Sequence, residues 1–219
     1  MESYNKKSKL KIRASHLIRL SGLSAMFGGM SFVVVGMFHQ ANITSSVVTN
    51  QWEIVHALAT AMCFFLVLGI TGIYARQAEE SGWLGLVGFI LYSLHWVLTG
   101  NFTFAEVTIL PVLGTEEPVL AEGFVGVFTG VDSEFGILKI IWNLTSALYI
   151  LGALLFGIAT FRAGILPRLS AVLLSVGAGL GPLAAMLPPE HQPKVTVPVG
   201  LALAWMGYAI WSERRKRIA

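Results

Sequence analysis

Two ionisable side chains, Glu53 and His56, stand at the start of an apolar stretch, at a spacing that places both on one face of a helix. A Glu-x-x-His pair supplies metal ligands in carboxylate-bridged dimetal bundles, which also need a second such pair and further Glu residues on other helices. The sequence contains no second pair. We therefore expect no metal here, and the pattern favours a hydrogen-bonded pair at a helix end.

His95 is the deepest ionisable residue of the apolar stretches, in the segment LYSLHWVLTGNFTFAE, and Glu106 follows about three turns later. A histidine inside a membrane can relay protons or bind a ligand, or it can form a hydrogen bond to a neighbouring helix. Further along the chain, Lys139 and Asn143 are four residues apart and share a helix face. Lys139 can extend its amine to the membrane surface or pair with an acidic residue across a pocket.

Together these residues predict a polar pocket that opens to the outside between the second, third and fourth helices, because ionisable groups inside a membrane usually face the bundle or a cavity. The candidate binding residues are Glu53, His56, His95, Glu106, Lys139 and Asn143. The alternative is a polar rim that hydrates the outer helix ends without binding anything. We expect no cofactor. Haem binds between histidines at matched depth, and His95 has no such partner in the sequence pattern.

The composition indicates that a membrane protein carries these residues. Of the 219 residues, 55% are hydrophobic and 12% are charged, which is about half the charged fraction of a typical soluble domain. The single cysteine, Cys63, excludes a disulfide within the chain and a cysteine-based metal site. The chain contains no P-loop, dinucleotide-binding fingerprint, HExxH or GxSxG motif. It also contains no nucleic-acid-binding module, so we expect no nucleic-acid partner.

Apolar stretches of about 20 residues, the length that crosses a bilayer, predict an all-α bundle of six transmembrane helices that occupies residues 1–219 as one domain. The predicted helices are 17–39, 52–75, 83–110, 136–161, 166–187 and 195–212. The longest connection, 111–135, carries five acidic residues and no basic one. We expect either a solvated outer loop with a short surface helix or a lid over the pocket.

Charges are divided unequally between the two sides of this bundle. Thirteen of the fifteen Lys and Arg residues fall in segments on one side, and eight of the twelve Asp and Glu residues fall on the other. Because short cytoplasmic segments of membrane proteins are rich in Lys and Arg, both termini are predicted to be cytoplasmic. The expected location is the cell membrane, with the lipid bilayer as the surrounding partner.

The segment 148–187, LYILGALLFGIATFRAGILPRLSAVLLSVGAGLGPLAAML, contains two apolar stretches on either side of a turn from Arg162 to Arg168. Gly164 is a typical helix stop and Pro167 a typical helix start. Together with the Arg-flanked, Gly-rich first helix, this segment resembles a family of bacterial six-helix integral membrane proteins of unknown function. The resemblance implies the same fold and a bacterial plasma membrane. It implies no activity, cofactor or catalytic residue.

The leading functional hypothesis is a non-enzymatic membrane protein that binds or transports a small molecule or an ion through the outward pocket. A second hypothesis is a membrane-embedded enzyme that uses Glu53, His56 and His95 as acid, base or metal ligands. A third is an accessory subunit of a membrane complex. The partners would then include another membrane protein or a second copy of this chain.

Overall fold

The computed structural model describes residues 12–130, 133, 135–184, 186–188 and 190–213. These residues form helices joined by turns and short connections, and no β-strand occurs among them. The predicted all-α fold is confirmed for this part of the chain. Several charged residues used to predict the orientation lie outside the described residues: Lys6, Lys7, Lys9, Lys11, Asp132, Glu134 and 214–217.

The helices follow one another with few connecting residues. They are α1 (Ala14–Phe38), α2 (Thr44–Val47), α3 (Asn50–Thr108), α4 (Leu110–Glu116), α5 (Pro118–Thr129), α6 (Gly136–Ala163), α7 (Arg168–Gly179), α8 (Gly181–Ala184) and α9 (Val197–Ser212), with a 3-10 turn at Gln192–Thr196 before α9. Within the described ranges, four helical stretches are long and apolar enough to cross a membrane: Ala14–Phe38, Asn50–Glu116, Gly136–Ala163 and Gln192–Ser212. The fold is therefore compatible with the predicted membrane protein.

Helix α3 is a hairpin with two arms, 50–76 and 83–108. Its backbone leaves the helical conformation at Gln77 (φ −130°, ψ 17°) and at Gly82 (φ 56°, ψ −156°). No atom lies within 4 Å of the position that a Cβ of Gly82 would take, so the positive φ rather than close packing accounts for glycine at the turn. At 1.5 Å per residue each arm is about 39 Å long, which exceeds the roughly 30 Å hydrocarbon core of a bilayer.

The two arms of α3 run antiparallel and contact each other along their length. Near the turn, the ring of Tyr74 stacks on that of Phe89, with a centroid distance of 4.6 Å. Towards the other end, the Thr60 hydroxyl donates a hydrogen bond to the Thr103 hydroxyl over 3.1 Å. The arms correspond to the second and third predicted helices.

The helices pack in a closed ring. Helix α1 lies between α9 and the first arm of α3, the second arm contacts α6, and α7 lies between α6 and α9. Glycines bring α1 and α9 into backbone contact: a Cβ on Gly29 would collide with the carbonyl of Gly200, and one on Gly207 with that of Gly22. Such close approach is typical of membrane helices, whose association depends on packing more than on the hydrophobic effect.

One end of the bundle, the basic end, contains the turn of α3 and the start of α1. There Arg76 forms an ion pair with Glu213 at 2.8 Å, and the Gln77 amide donates to the Thr160 hydroxyl over 2.7 Å. The opposite end, the cavity end, contains the segment 39–49 and helices α4 and α5. The described arginines all belong to segments at the basic end: Arg13, Arg19, Arg76, Arg162 and Arg168.

The segment 111–135, predicted as an outer connection, is largely helical. Helices α4 and α5 pack on Trp52 in a second apolar cluster that includes Leu110, Ala121 and Phe124. The segment folds this way because apolar residues of α5 recur at helical spacing on its buried face. Its described acidic residues lie on the exposed side: Glu116, Glu117 and Glu122.

The fifth predicted helix, 166–187, is divided in the structure into α7 and α8. The break follows Gly179, and Pro182 lies in the first turn of α8, where its missing N–H removes no helical hydrogen bond. The chain nevertheless runs from Arg168 at the basic end to Pro182 at the cavity end. The difference from the prediction is a local break and leaves the path of the chain unchanged.

We expect Gly29→Ala to destabilise the protein by about 1–3 kcal/mol, because the added methyl group overlaps the backbone of α9. A lower midpoint of thermal unfolding in detergent would measure this effect. Gly136→Ala is the matched control, since no atom lies within 4 Å of its Cβ position. Equal midpoints for the two variants would contradict the close contact between α1 and α9.

Candidate functional site

A cavity of about 480 Å³ lies at the cavity end of the bundle. Its walls come from α1, both arms of α3, α5, α6 and the segment 181–196. No Lys, Arg or Asp occurs among the described residues that line it. Its ionisable lining residues are His39, His56, His95, Glu106 and Tyr149.

His56 lies on the first arm of α3 with its ring against the indole of Trp52, at a centroid distance of 3.9 Å. Its Nδ1–H donates a hydrogen bond to the Trp52 carbonyl over 2.9 Å, which assigns the proton of a neutral ring to Nδ1. Nε2 is then a lone-pair acceptor. It has no hydrogen-bond partner and lies 3.7 Å from Oε1 of Glu106.

Glu106 faces His56 from the second arm of α3. The indole N–H of Trp52 donates to the backbone carbonyl of Glu106 over 2.9 Å, which joins the two arms at this depth. Glu106 is only 6% exposed, so its carboxyl group is largely removed from water. Within the described part of the chain, His56 is the one basic residue within 4 Å of that carboxyl group.

The burial of Glu106 decides what the site must contain. A buried carboxylate without a positive partner is costly, since the protein interior solvates ions poorly. Glu106 therefore needs either a proton or a cation. A proton can reside on the carboxyl group or on Nε2 of His56, and a small movement of either side chain brings the two atoms into hydrogen-bond range.

His95 connects the second arm of α3 to α6. Its Nδ1–H donates to the backbone carbonyl of Thr145 over 3.0 Å. The ring lies against Trp96 and Tyr149, at centroid distances of 4.6 and 4.9 Å. His95 thus forms the interhelical hydrogen bond that the sequence leaves as one alternative, and its side chain also lines the cavity.

Four buried polar atoms of cavity residues have no hydrogen-bond partner among the residues that the structure describes: Asn42 Oδ1, His56 Nε2, Trp96 Nε1 and the Tyr149 hydroxyl. The indole N–H is a donor, the amide oxygen and Nε2 are acceptors, and the hydroxyl can act as both. Buried polar groups are nearly always hydrogen-bonded, and an unpaired one costs about 1–3 kcal/mol. Because these atoms have almost no accessible surface, a molecule in the cavity can supply the missing partners only after a small rotation of the side chains that line it.

His39 lies between this cavity and a second one of about 420 Å³ at the end of the bundle. His39, Asn42 and Phe128 line both. The His39 ring is 4.9 Å from the ring of His56. Burial lowers the pKa of His39 below its usual value of 6.5, so the ring is neutral at pH 7. The imidazole shared by the two cavities is therefore uncharged.

The structure brings together three of the six predicted site residues, which all line the cavity: His56, His95 and Glu106. Glu53, Lys139 and Asn143 do not line it. The first arm of α3 is rotated so that Trp52 is buried and Glu53 is exposed. Asn143 is also exposed, and the Lys139 amine donates to the carbonyl of Gly130 over 3.1 Å.

Known proteins give no guide to this cavity. No protein-family model, curated protein or solved structure matches the chain. Among the described residues, no group of three or more His, Cys, Asp and Glu side chains could hold a metal ion. The function must therefore be inferred from the chemistry of the cavity itself.

Sequence reasoning assigns a wall of the pocket to the fourth predicted helix, α6, but selects Lys139 and Asn143 on it rather than the face that lines the cavity. Trp142, Thr145, Ser146 and Tyr149 line the cavity, and their spacing places them on one helix face. This stripe is visible in the sequence. It carries no functional signal there, because aromatic and small polar residues at helical spacing more often pack against other helices.

Replacing Trp52 by Phe removes the indole donor and leaves the buried Glu106 carbonyl without that bond. We expect a loss of about 1–3 kcal/mol of stability, measured as a lower unfolding midpoint in detergent. Trp83→Phe is the matched control, because Trp83 is 81% exposed. An unchanged midpoint for Trp52→Phe would show that this bond does not hold the two arms.

Proposed function

We propose that this protein is a six-span membrane protein that binds a small molecule in an outward-facing cavity, without chemical conversion of that molecule. One observation carries the proposal: residues with unpaired polar atoms, from the connection after α1, from α3 and from α6, line one cavity of about 480 Å³ together with a buried carboxyl group. Ligand sites of membrane and soluble proteins alike are concave, mostly apolar and supplied with a few placed polar groups. The cavity has this character.

The proposed topology has both termini in the cytoplasm of a bacterial cell and the cavity facing outward. It is supported by the arginines at the basic end, because cytoplasmic segments of membrane proteins are enriched in Lys and Arg. The six-span count is supported by the two arms of α3 and by the path of the segment 168–184, which crosses the bundle in two pieces. Movement of the ligand across the membrane is a further step of the same proposal.

The membrane-enzyme hypothesis has one supporting observation. His56 and Glu106 lie 3.7 Å apart, a separation from which a small movement would permit proton transfer between them. The predicted catalytic set is not assembled, however, because the exposed Glu53 does not share the cavity with His56 and His95. Binding without conversion therefore has the stronger support. The accessory-subunit hypothesis stays a prediction from the sequence.

The accessibility of Ser146 tests the cavity and its orientation. Ser146 and Leu144 are both exposed residues of α6, but only Ser146 lines the cavity. In a Cys63→Ala background, we expect Ser146→Cys to react with a membrane-impermeant maleimide added to intact cells, because a hydrated thiol can ionise. Leu144→Cys, facing lipid, should remain unlabelled.

Two results would contradict the proposal in different ways. Labelling of Ser146→Cys only in inverted membrane vesicles would leave the hydrated cavity in place and reverse its orientation. Absence of labelling from both sides, with the variant folded by thermal unfolding, would remove the hydrated cavity and with it the proposed binding function.

A further inference from the structure

We propose that the molecule bound in the cavity is a small organic cation of the ammonium class, with its positive charge beside the Glu106 carboxylate. This inference rests on the binding function proposed above and adds the chemical class of the ligand. It is carried by the charge, the aromatic lining and the volume of the cavity.

The described lining of the cavity contains a carboxyl group without a permanent positive charge beside it. Glu106 is the only carboxylate among the described lining residues, and no Lys or Arg faces it there. Ionised Glu106 can be compensated by a protonated His56, 3.7 Å away, or by a cation from outside. A ligand cation removes the need for that proton and leaves His56 neutral, with Nε2 free to accept a hydrogen bond from the ligand.

Aromatic rings line the same cavity as Glu106. The negative face of an aromatic ring attracts a cation, most strongly where water is excluded. Trp96 packs edge-on against Phe32 at a centroid distance of 5.1 Å, and Trp142 against Phe128 at 4.9 Å. All four rings line the cavity together with Tyr149. A carboxylate combined with aromatic faces is the chemistry that recognises ammonium groups.

The size of the cavity and the side chains around it favour an organic cation over a metal ion. A volume of about 480 Å³ far exceeds a single ion. A metal ion also needs several oxygen, nitrogen or sulfur ligands around it, and the described His, Cys, Asp and Glu residues provide no group of three. The Tyr149 side chain lines the cavity, and after a small rotation its hydroxyl can pair with a hydroxyl or carbonyl group carried by the same molecule.

Choline and 3,3-dimethylbutan-1-ol test the role of the charge, because they have the same shape and differ in having nitrogen or carbon at the centre of the trimethyl group. We expect choline to bind the purified protein in lipid nanodiscs at least tenfold more tightly than the neutral alcohol. Isothermal titration calorimetry measures both affinities. Thr99→Trp, which fills the cavity from its wall, should abolish binding of both compounds.

Glu106→Gln removes the charge and keeps the shape of the side chain. We expect choline to bind this variant at least tenfold more weakly, while the affinity of the neutral alcohol stays within about twofold, and the retained alcohol binding reports an intact cavity. Glu122→Gln is the matched control, because Glu122 is an exposed carboxylate on α5 outside the cavity. It should bind both compounds like the unmodified protein.

The possible outcomes separate this inference from the binding function on which it rests. Equal affinities for choline and the alcohol, both lost in Thr99→Trp, would overturn the inference that the ligand is a cation. They would still support a ligand-binding cavity. Binding of neither compound would also overturn the inference that the ligand is an ammonium cation. The maleimide labelling of Ser146→Cys would then decide whether the hydrated cavity exists. Choline binding that survives Glu106→Gln unchanged would show that this carboxylate does not recognise the charge.

Discussion

The position of the Trp52 side chain governs the cavity, because this one residue contacts two of the ionisable residues that line it, His56 and Glu106. Its indole N–H holds the Glu106 carbonyl, its backbone carbonyl accepts from His56, and its ring covers the His56 ring. These contacts set the distance between Nε2 and the carboxyl group. Helices α4 and α5 pack over the same indole. Trp52 therefore contacts both the segment that covers this end of the bundle and the two ionisable residues of the site. An uncharged side chain thus fixes the geometry of groups whose charge can change.

Much of the fold can be predicted from the sequence because the bilayer imposes simple rules on length and polarity. Apolar stretches with Arg residues at their ends predict the two arms of α3 and the turn between them, which the structure places at Gln77 and Gly82. The cost of ionisable groups inside a membrane likewise directs attention to His56, His95 and Glu106, and all three line the cavity. Both successes depend on the large free energies of transferring charge and backbone into lipid.

The remaining features depend on the rotation of each helix about its axis, for which the sequence has no comparably strong rule. Glu53 and His56 share a helical face by spacing, yet packing of the arm against α1 exposes the first and buries the second. Contacts such as that of Gly69 with Ala25 set this rotation. The sequence contains 23 glycines, and nothing in it distinguishes Gly69 as the one that contacts another helix. The sequence allows a short surface helix in 111–135 but does not predict that 118–129 packs on Trp52, because its apolar face has a partner only once Trp52 is in place.

The backbone contact between α1 and α9 has a consequence for the connectivity of the chain. Helices α1 and α9 are neighbours, and the start of α1 at Ala14 and the end of α9 at Ser212 both lie at the basic end. The order of the helices around the ring is therefore their order along the chain, and the contact between α1 and α9 closes the ring. A peptide joining the two ends, with new termini opened at 164–167, would preserve every interhelical contact of the cavity. The arrangement of the helices therefore does not require that α1 be synthesised first.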